Sequence, residues 1–177
     1  MIDGKETANI MNDYFASVFT EENLDNIPKT VEMFTSCKSD ALSKIDIDEG
    51  SVFKYLDSIN VNKSLGPDEI HGKIIYELRH ELVGPLTRLF NLSLNSGYIP
   101  QDWKNANVIP LFKKGSKQKP ENYRPVSLTS VVGKILESII KERLLEHLHK
   151  FRLIRDSQHG FTSGRSCLTN LIDFLNQ

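Results

Sequence analysis

The feature that most constrains the fold is a long amphipathic segment in the last third of the chain. Between Thr129 and Lys150, large apolar residues recur at helical spacing and form one face: Val132, Leu136, Ile139, Ile140, Leu144 and Leu148. A helix with such a stripe is stable only when other elements cover it. The segment therefore predicts the longest helix of a mostly helical domain.

Four further segments show helical patterning. The first covers residues 5–20, and the second runs from Asp46 or Asp48 to about Asn60. The third follows the turn at residues 63–68, and the fourth covers residues 82–95, where Pro85 breaks or restarts the helix. The predicted inward faces are, in that order, Ile10, Tyr14 and Val18 flanked by Met11, Phe15 and Phe19; Val52, Phe53 and Leu56; Ile70, Ile74, Ile75 and Leu78; and Leu86, Leu89, Phe90 and Leu94. Gly97 is placed to end the fourth helix, and a last helix begins near Ser166.

Two short segments are typical of strands. Ala106–Lys113 is rich in β-formers, and Pro110 within it indicates an edge strand. Val126–Leu128 is the second, and a polar, hairpin-like loop from Lys114 to Arg124 joins them. The fold class is therefore α+β, mostly helical, with one small antiparallel sheet.

Length, charge and cysteine content narrow the class of protein. The 177 residues suit about one domain. No apolar run approaches the roughly 20 residues that span a bilayer, no secretory signal is visible, and Cys37 and Cys167 make no disulfide framework. We expect an intracellular protein, in the nucleus or cytoplasm and not secreted, with no membrane partner.

Charge is distributed unevenly along the chain. Residues 1–50 carry 4 Lys/Arg against 11 Asp/Glu, whereas the remainder carries 18 against 12. An acidic segment ahead of a basic body suggests a polyanionic partner, although charge alone favours the alternative of chance variation around neutrality. Residues 1–44 are interpreted as a helical lead-in and linker, and residues 45–177 as the main domain.

The basic loop is the clearest candidate site. Between Lys104 and Arg124 there are six cations and one acid, Glu121. Held between two strands, the Lys and Arg side chains of this loop would neutralise the phosphates of a nucleic acid or of a nucleotide triphosphate. Arg124 is the strongest candidate, because its planar guanidinium can bind two phosphate oxygens. The alternative is a solvated hairpin tip with no ligand.

Other sites are weaker. Gly115-Ser116-Lys117 lacks the spacing of a phosphate-binding loop, and His147 and His149 point in different directions from one helix, which argues against a zinc site. Cys167 is expected to pack as a small apolar residue, Asp173 to face solvent, and Asp68 to cap the helix that follows it.

Three ordered motifs carry a family resemblance. The segment from Asn122 to Ser130, with Gly133 to Glu137, resembles the fingers motif of reverse transcriptases of non-LTR (LINE-type) retrotransposons, closest in style to the jockey and chicken-repeat-like group. Gln158-His159-Gly160-Phe161 with Gly164–Cys167 looks like the next motif, and residues 62–70 look like the first. The match covers about residues 45–177.

This resemblance implies the fingers, and the start of the palm, of an RNA-directed DNA polymerase. By resemblance, Lys113, Lys114 and Arg124 grip the incoming triphosphate. The residues implied in template contacts are Asn62, Lys63, Gly66, Pro67, Asp68, Gly160, Phe161 and Arg165. The implied partners are an RNA template, an RNA–DNA primer–template and dNTP.

The family's chemistry uses Mg²⁺ held by palm aspartates, and the motifs that carry them do not occur in this sequence. The resemblance therefore implies a chain truncated before the catalytic motifs, with no metal bound by this fragment and no activity alone. Two residues depart from the family pattern: Leu65 stands where Pro is common, and Glu69 where Gly is common. If that position needs a positive φ, Glu69 strains the turn.

Two alternatives belong to other classes of function. One is a non-catalytic nucleic-acid-binding module that uses the same basic loop. The other is a helical interaction domain that uses the stripe of the 129–150 helix, with self-association through a surface that the palm would otherwise cover.

Overall fold

A computed structural model describes residues 4–20, 42 and 44–175. In chain order the helices are α1 (Gly4–Ser17), α2 (Glu49–Asp57), α3 (Gly72–Glu77), α4 (Arg79–Ser96), α5 (Gln101–Lys104), α6 (Val131–Lys150) and α7 (Cys167–Leu175). Strands β1 (Ala106–Phe112) and β2 (Tyr123–Thr129) lie between α5 and α6. The α+β class with a small antiparallel sheet is confirmed.

The core lies where α2, α4 and α6 meet. Its buried residues are Ile47, Val52, Leu56, Ile75, Leu86, Phe90, Ile135, Leu136 and Ile139. Phe90 is fully buried and its ring meets that of Trp103 edge to face at 5.8 Å. Each large apolar side chain removed from water in this way contributes about 1.5–3 kcal/mol. The predicted long helix is α6, and it contributes Ile135, Leu136 and Ile139 to this core.

Local signals explain the ends of these helices. Asp48 accepts a hydrogen bond from the backbone N–H of Ser51 at 2.8 Å and so caps α2, as one of the two predicted caps. Gly97 takes the left-handed conformation (φ 67°) at the end of α4, as predicted. Pro85, however, neither breaks nor begins that helix. The carbonyl of Leu78 accepts from the N–H groups of Glu81 and Leu82, which starts α4 six residues before the proline.

Four predicted inward faces are partly wrong. In α1 the buried residues are Met11 and Phe15, and the helix ends before Val18 and Phe19. In α3 only Ile75 of the four predicted residues is buried. The exposed members of the predicted faces are Ile10, Val18 and Phe19; Ile70, Ile74 and Leu78; Leu89; and Leu144. The core reaches each helix from one side only, so an apolar residue about 100° away from that side remains at the surface.

The sheet is a two-stranded antiparallel hairpin, with Phe112 opposite Tyr123 and Pro110 opposite Pro125. The second strand begins three residues before the predicted Val126, so Tyr123 and Arg124 belong to the strand and not to the loop. Proline lacks an N–H, and two facing prolines therefore form a rung that needs no hydrogen bond from either residue.

The predicted linker at residues 23–44 falls almost entirely outside the described residues. Within the part of the chain that the structure describes, no helix is both long enough and apolar enough to cross a membrane.

Candidate nucleic-acid interface

The basic hairpin tip has a defined conformation. The backbone N–H of Lys113 donates to the carbonyl of Asn122 at 2.8 Å and closes the loop beyond the strands. Inside the loop, Asn122 Nδ2 donates to the carbonyl of Ser116 at 2.9 Å, and the Tyr123 hydroxyl donates to the carbonyl of Lys117 at 2.9 Å. A short 3-10 turn, Pro120–Asn122, leads into β2. The loop is therefore tied internally at several points.

Gly115 allows this arrangement. Its φ is +87°, and a Cβ there would lie 2.8 Å from Nδ2 of Asn122. A side chain at residue 115 would thus be strained by its backbone conformation and would also displace the amide that binds Ser116.

Three cations remain accessible on this hairpin. Lys113, Lys114 and Arg124 are all exposed, and among the residues that the structure describes none of them lies in an ion pair. In contrast, Lys119 Nζ lies 3.4 Å from Glu121, and Lys117 Nζ lies 5.7 Å from the centre of the Phe112 ring. The three free cations carry donors that are available to an anion.

Arg124 lies on an apolar sheet face. Its cross-strand partner is Leu111, and the neighbouring pair on the same face is Ile109 with Val126. These three apolar side chains are 58%, 46% and 37% exposed. A guanidinium beside apolar surface has fewer competing waters, which strengthens its hydrogen bonds to phosphate oxygens.

The turn at residues 62–70 packs beneath this hairpin. Gly66 is buried, and a Cβ on it would lie 2.7 Å from the carbonyl of Thr129 and from the N of Ser130. The turn therefore contacts the end of β2 and the start of α6, and the first two motifs meet in space. Ser130 caps α6 through its Oγ and is completely buried where the turn meets β2 and α6.

The rest of the turn differs from expectation at one point. Asp68 does not cap α3: the cap is His71, whose Nδ1 accepts from the N–H of Lys73 at 3.1 Å. Asp68 instead accepts from the N–H of Ile70 at 3.4 Å, within the turn. Asn62 and Lys63 are exposed and Pro67 is half-buried. Glu69 has a φ of +55°, so the strain predicted for a non-glycine residue there is confirmed.

The third predicted motif forms a separate cluster around His159, a buried side chain. Its Nδ1 lies 2.9 Å from Thr169 Oγ1 and its Nε2 lies 2.9 Å from Asp173 Oδ2. Arg165 Nη1 is 3.3 Å from the same Nε2. Asp173 thus lies within hydrogen-bonding distance of the histidine, and the prediction of a purely solvent-facing acid missed this contact.

The cluster resembles a hydroxyl–histidine–carboxylate triad only in composition. The Thr169 hydroxyl donates its hydrogen to the carbonyl of Ser166 at 2.9 Å. A hydroxyl has one hydrogen, so this oxygen has none to give to His159, and the geometry does not describe an activated nucleophile. Cys167 is exposed, which contradicts its predicted packing as a small apolar residue.

A polar network fixes α6 against α2. Lys54 Nζ lies 2.5 Å from Glu142 Oε1, and the Tyr55 hydroxyl donates to Glu142 Oε2 at 3.0 Å. The hydrogen bonds from Lys54 and then from Tyr55 lower the pKa of Glu142. Arg143 joins the same two helices through Asp48 Oδ2 at 3.3 Å. The helix that carries Ser130 is thereby held in register with the core.

Metal ligands require a convergence of donors. Within the described ranges, no group of three or more His, Cys, Asp or Glu side chains is close enough to share an ion.

Comparison with known proteins supplies the context of these motifs. Residues 112–177 match the family model of reverse transcriptase (RNA-dependent DNA polymerase). The chain is 29% identical over 147 residues to a probable RNA-directed DNA polymerase from transposon BS of Drosophila melanogaster, which covers 82% of the chain and 16% of the relative. It is 32% identical over 121 residues to the RNA-directed DNA polymerase from mobile element jockey of the same organism, 68% of the chain and 13% of the relative.

A third relative is the retrovirus-related Pol polyprotein from type-1 retrotransposable element R1 of Bradysia coprophila, 31% identical over 123 residues, 68% of the chain and 12% of the relative. The chain belongs to the reverse transcriptases. Its relatives place it with the enzymes of non-LTR retrotransposons, and the predicted family is confirmed. The chain spans about one sixth or less of the length of these relatives.

Several contacts in the site escaped sequence reasoning. The hydrogen bonds from the side chains of Asn122 and Tyr123 to loop carbonyls form only because the strand register brings the two ends of the loop together. The His159 cluster joins residues up to 14 positions apart. A histidine ten residues before a threonine and fourteen before an aspartate carries no recognisable spacing signal, so only the fold reveals that they meet.

Proposed function

We propose that this chain supplies template and incoming-nucleotide contacts for the RNA-directed DNA polymerase of a mobile element. In this proposal residues 1–44 are a lead-in, and residues 45–177 are the fingers and the start of the palm. The observation that carries the proposal is the hairpin: three exposed cations, unpaired within the described residues, on a loop whose own backbone is tied in place.

Phosphate is the ligand that best fits this hairpin. Lys113 and Lys114 follow β1, and Arg124 lies near the start of β2, so all three lie at one end of the hairpin. A planar guanidinium binds two phosphate oxygens at once, and lysine adds positive charge without fixed geometry. We assign these three residues to the triphosphate of an incoming dNTP and to the adjacent backbone of an RNA–DNA primer–template.

Two other segments complete the proposed template path. The first is the turn that contains Asn62, Lys63, Pro67 and Asp68, with Gly66 packed beneath it. Since Gly66 is buried, the contact itself is assigned to the exposed Asn62 and Lys63 and to the half-buried Pro67 and Asp68. The second is the loop with Gly160, Phe161 and Arg165, all of which are exposed.

Salt dependence of binding tests the hairpin. We would replace Lys113, Lys114 and Arg124 together by alanine and measure the affinity for an RNA–DNA primer–template and for single-stranded RNA between about 50 and 200 mM salt. Wild-type affinity should fall at least about tenfold over this range, because phosphate contacts release counterions. The triple variant should bind more weakly and lose about 2 from the slope of log affinity against log salt.

A matched control separates the site from net charge. Lys73, Arg88 and Lys141 are exposed cations on α3, α4 and α6. Their combined replacement by alanine changes net charge equally and should leave the slope near that of the wild type. Equal loss in both triple variants would reduce the proposal to non-specific attraction. Salt-insensitive binding by the wild type would refute the phosphate contacts.

We propose that the chain does not polymerise by itself. The family uses Mg²⁺ for nucleotidyl transfer, and the motifs that carry its metal-binding aspartates do not occur in these 177 residues. Purified chain should give no primer extension with Mg²⁺ and dNTP, and any extension would contradict this part of the proposal. We also propose that the protein acts in the nucleus or cytoplasm, where it would meet nucleic acid.

The two alternative functions are distinguished by repeating the binding assay with and without dNTP and by measuring self-association. A non-catalytic nucleic-acid-binding module would show the salt dependence without any effect of dNTP. A helical interaction domain would self-associate independently of salt. The α6 stripe is a poor candidate for that contact, because its Leu136 and Ile139 are already buried in the core and its Val132 and Ile140 pack against the core.

If the chain self-associates, we assign the contact to α7. Four of its apolar side chains recur at helical spacing and are 48–72% exposed: Leu168, Leu171, Ile172 and Leu175. Its single charged residue, Asp173, is paired with His159. Sedimentation velocity should then show a dimer that Leu171→Gln weakens, and a monomer at all concentrations would remove this alternative.

A further inference from the structure

The His159 cluster joins a loop to a helix. His159 lies before the loop of residues 160–166, and its partners Thr169 and Asp173 lie on α7, one helical turn apart. Its side chain is 4% exposed, whereas the loop between the two ends is exposed almost throughout. The histidine is therefore the buried anchor of an otherwise exposed segment.

The hydrogen bonds of Thr169 determine which atom donates in its contact with His159. Thr169 Oγ1 accepts from the backbone N–H of Ser166 at 2.9 Å and donates to the carbonyl of the same residue. Its third contact, with His159 Nδ1, is then one in which the ring donates and the hydroxyl accepts. Nε2 lies 2.9 Å from Asp173 Oδ2, and in this hydrogen bond too the ring is the donor, because a carboxylate only accepts.

The loop adopts a backbone conformation that needs support. Phe161 has a φ of +57°, in the left-handed region that is unfavourable for a residue with a Cβ. Its side chain is wholly exposed, so burial of the ring does not stabilise this conformation. Such strain persists only where surrounding contacts impose it, and strained residues of this kind concentrate at functional sites.

We infer that His159 is a positioning residue: by bonding Thr169 and Asp173 it fixes the 160–166 loop on α7 and holds the Phe161 ring at the surface, where an unpaired template base stacks on it. A flat aromatic side chain is the platform on which bases of single strands stack. Arg165, beside Nε2, keeps further N–H donors for a phosphate of the same strand. This inference rests on the proposed function, since it concerns a loop assigned to the template path.

Hydrogen–deuterium exchange of the full 177-residue chain tests the positioning. Asp173→Ala removes one partner from a half-exposed helix position and should speed exchange in peptides covering residues 160–170 several-fold, without changing α2 or α4. His159→Ala should do the same more strongly. Asn170→Ala, an exposed residue on the same helix, is the matched control. Unchanged exchange of residues 160–170 in both Asp173→Ala and His159→Ala would overturn the inference.

Binding of a 12-nucleotide single-stranded RNA tests the purpose of the loop. Phe161→Ala should weaken binding roughly fivefold or more, the lower end of base–aromatic stacking. His159→Ala should weaken it comparably, and the double variant should be no weaker than the worse single variant, because both remove one contact. Additive losses would overturn the positioning role. Faster exchange together with unchanged binding by Phe161→Ala would refute the template contact and leave the anchor of the loop intact.

Discussion

Replacing Gly66 by alanine tests the junction between the first two motifs. The added Cβ would lie 2.7 Å from the carbonyl carbon and oxygen of Thr129 and from the N of Ser130. These are backbone atoms at the start of α6, so the methyl group is accommodated only if the turn or the helix start moves. Overpacking of this kind costs about 1–3 kcal/mol. For a chain of this size that lowers Tm by about 2–12 °C.

The assay is thermal unfolding followed by circular dichroism, with Gly84→Ala as the matched control. Gly84 lies within α4, and a Cβ there meets only Glu49 Oε1 at an ordinary 3.5 Å. At this position the gain in helix propensity is offset by the steric preference of a residue before Pro85 for extended backbone. Gly84→Ala should therefore change Tm much less than Gly66→Ala. A Gly66→Ala chain as stable as the wild type would refute the close packing of the turn against β2 and α6.

Two further predictions concern backbone strain and pH. Glu69→Gly should raise the free energy of unfolding by about 1 kcal/mol, because glycine adopts the φ of +55° without steric cost; a decrease in a urea titration would contradict this. The pKa of Glu142 is lowered in the folded state from its ordinary 4.5 by Lys54 and Tyr55. Its contribution to stability is therefore present above pH 4.5 and is lost as pH falls through the lowered value. Glu142→Gln should flatten the loss of stability in that acidic range, and an unchanged pH profile would count against the network.

Much of the helical core was predictable because its signals are local. Val52 and Leu56 follow a capping aspartate at helical spacing, and Gly97 is the residue that ends a helix in the left-handed conformation. The faces that were wrong depend on contacts between distant elements. Met11 and Phe15 lie on the same helix as Ile10 and Tyr14, and only the fold determines which of the two adjacent stripes is buried.

The hairpin shows the same division. β-forming residues predicted both strands, but Pro125 made the early start of β2 at Tyr123 unexpected. The register resolves this by placing Pro125 opposite Pro110, where neither N–H is needed. The family motifs identified the basic loop, whereas the ties from Asn122 that shape it required the register. Roles of Lys113 and Arg124 toward a nucleotide remain predictions.

The most direct test of the central proposal is photocrosslinking that locates the nucleic acid on the chain. The chain would be irradiated with an RNA–DNA primer–template that carries 4-thiouridine in the unpaired template next to the primer end. Cross-linked peptides would then be identified by mass spectrometry, with a non-thiolated duplex as control. We predict cross-links within residues 107–126 and 158–166, at the hairpin and the His159 loop. Cross-links confined to α3, α4 or the exposed face of α7, with none at the hairpin, would contradict the proposal.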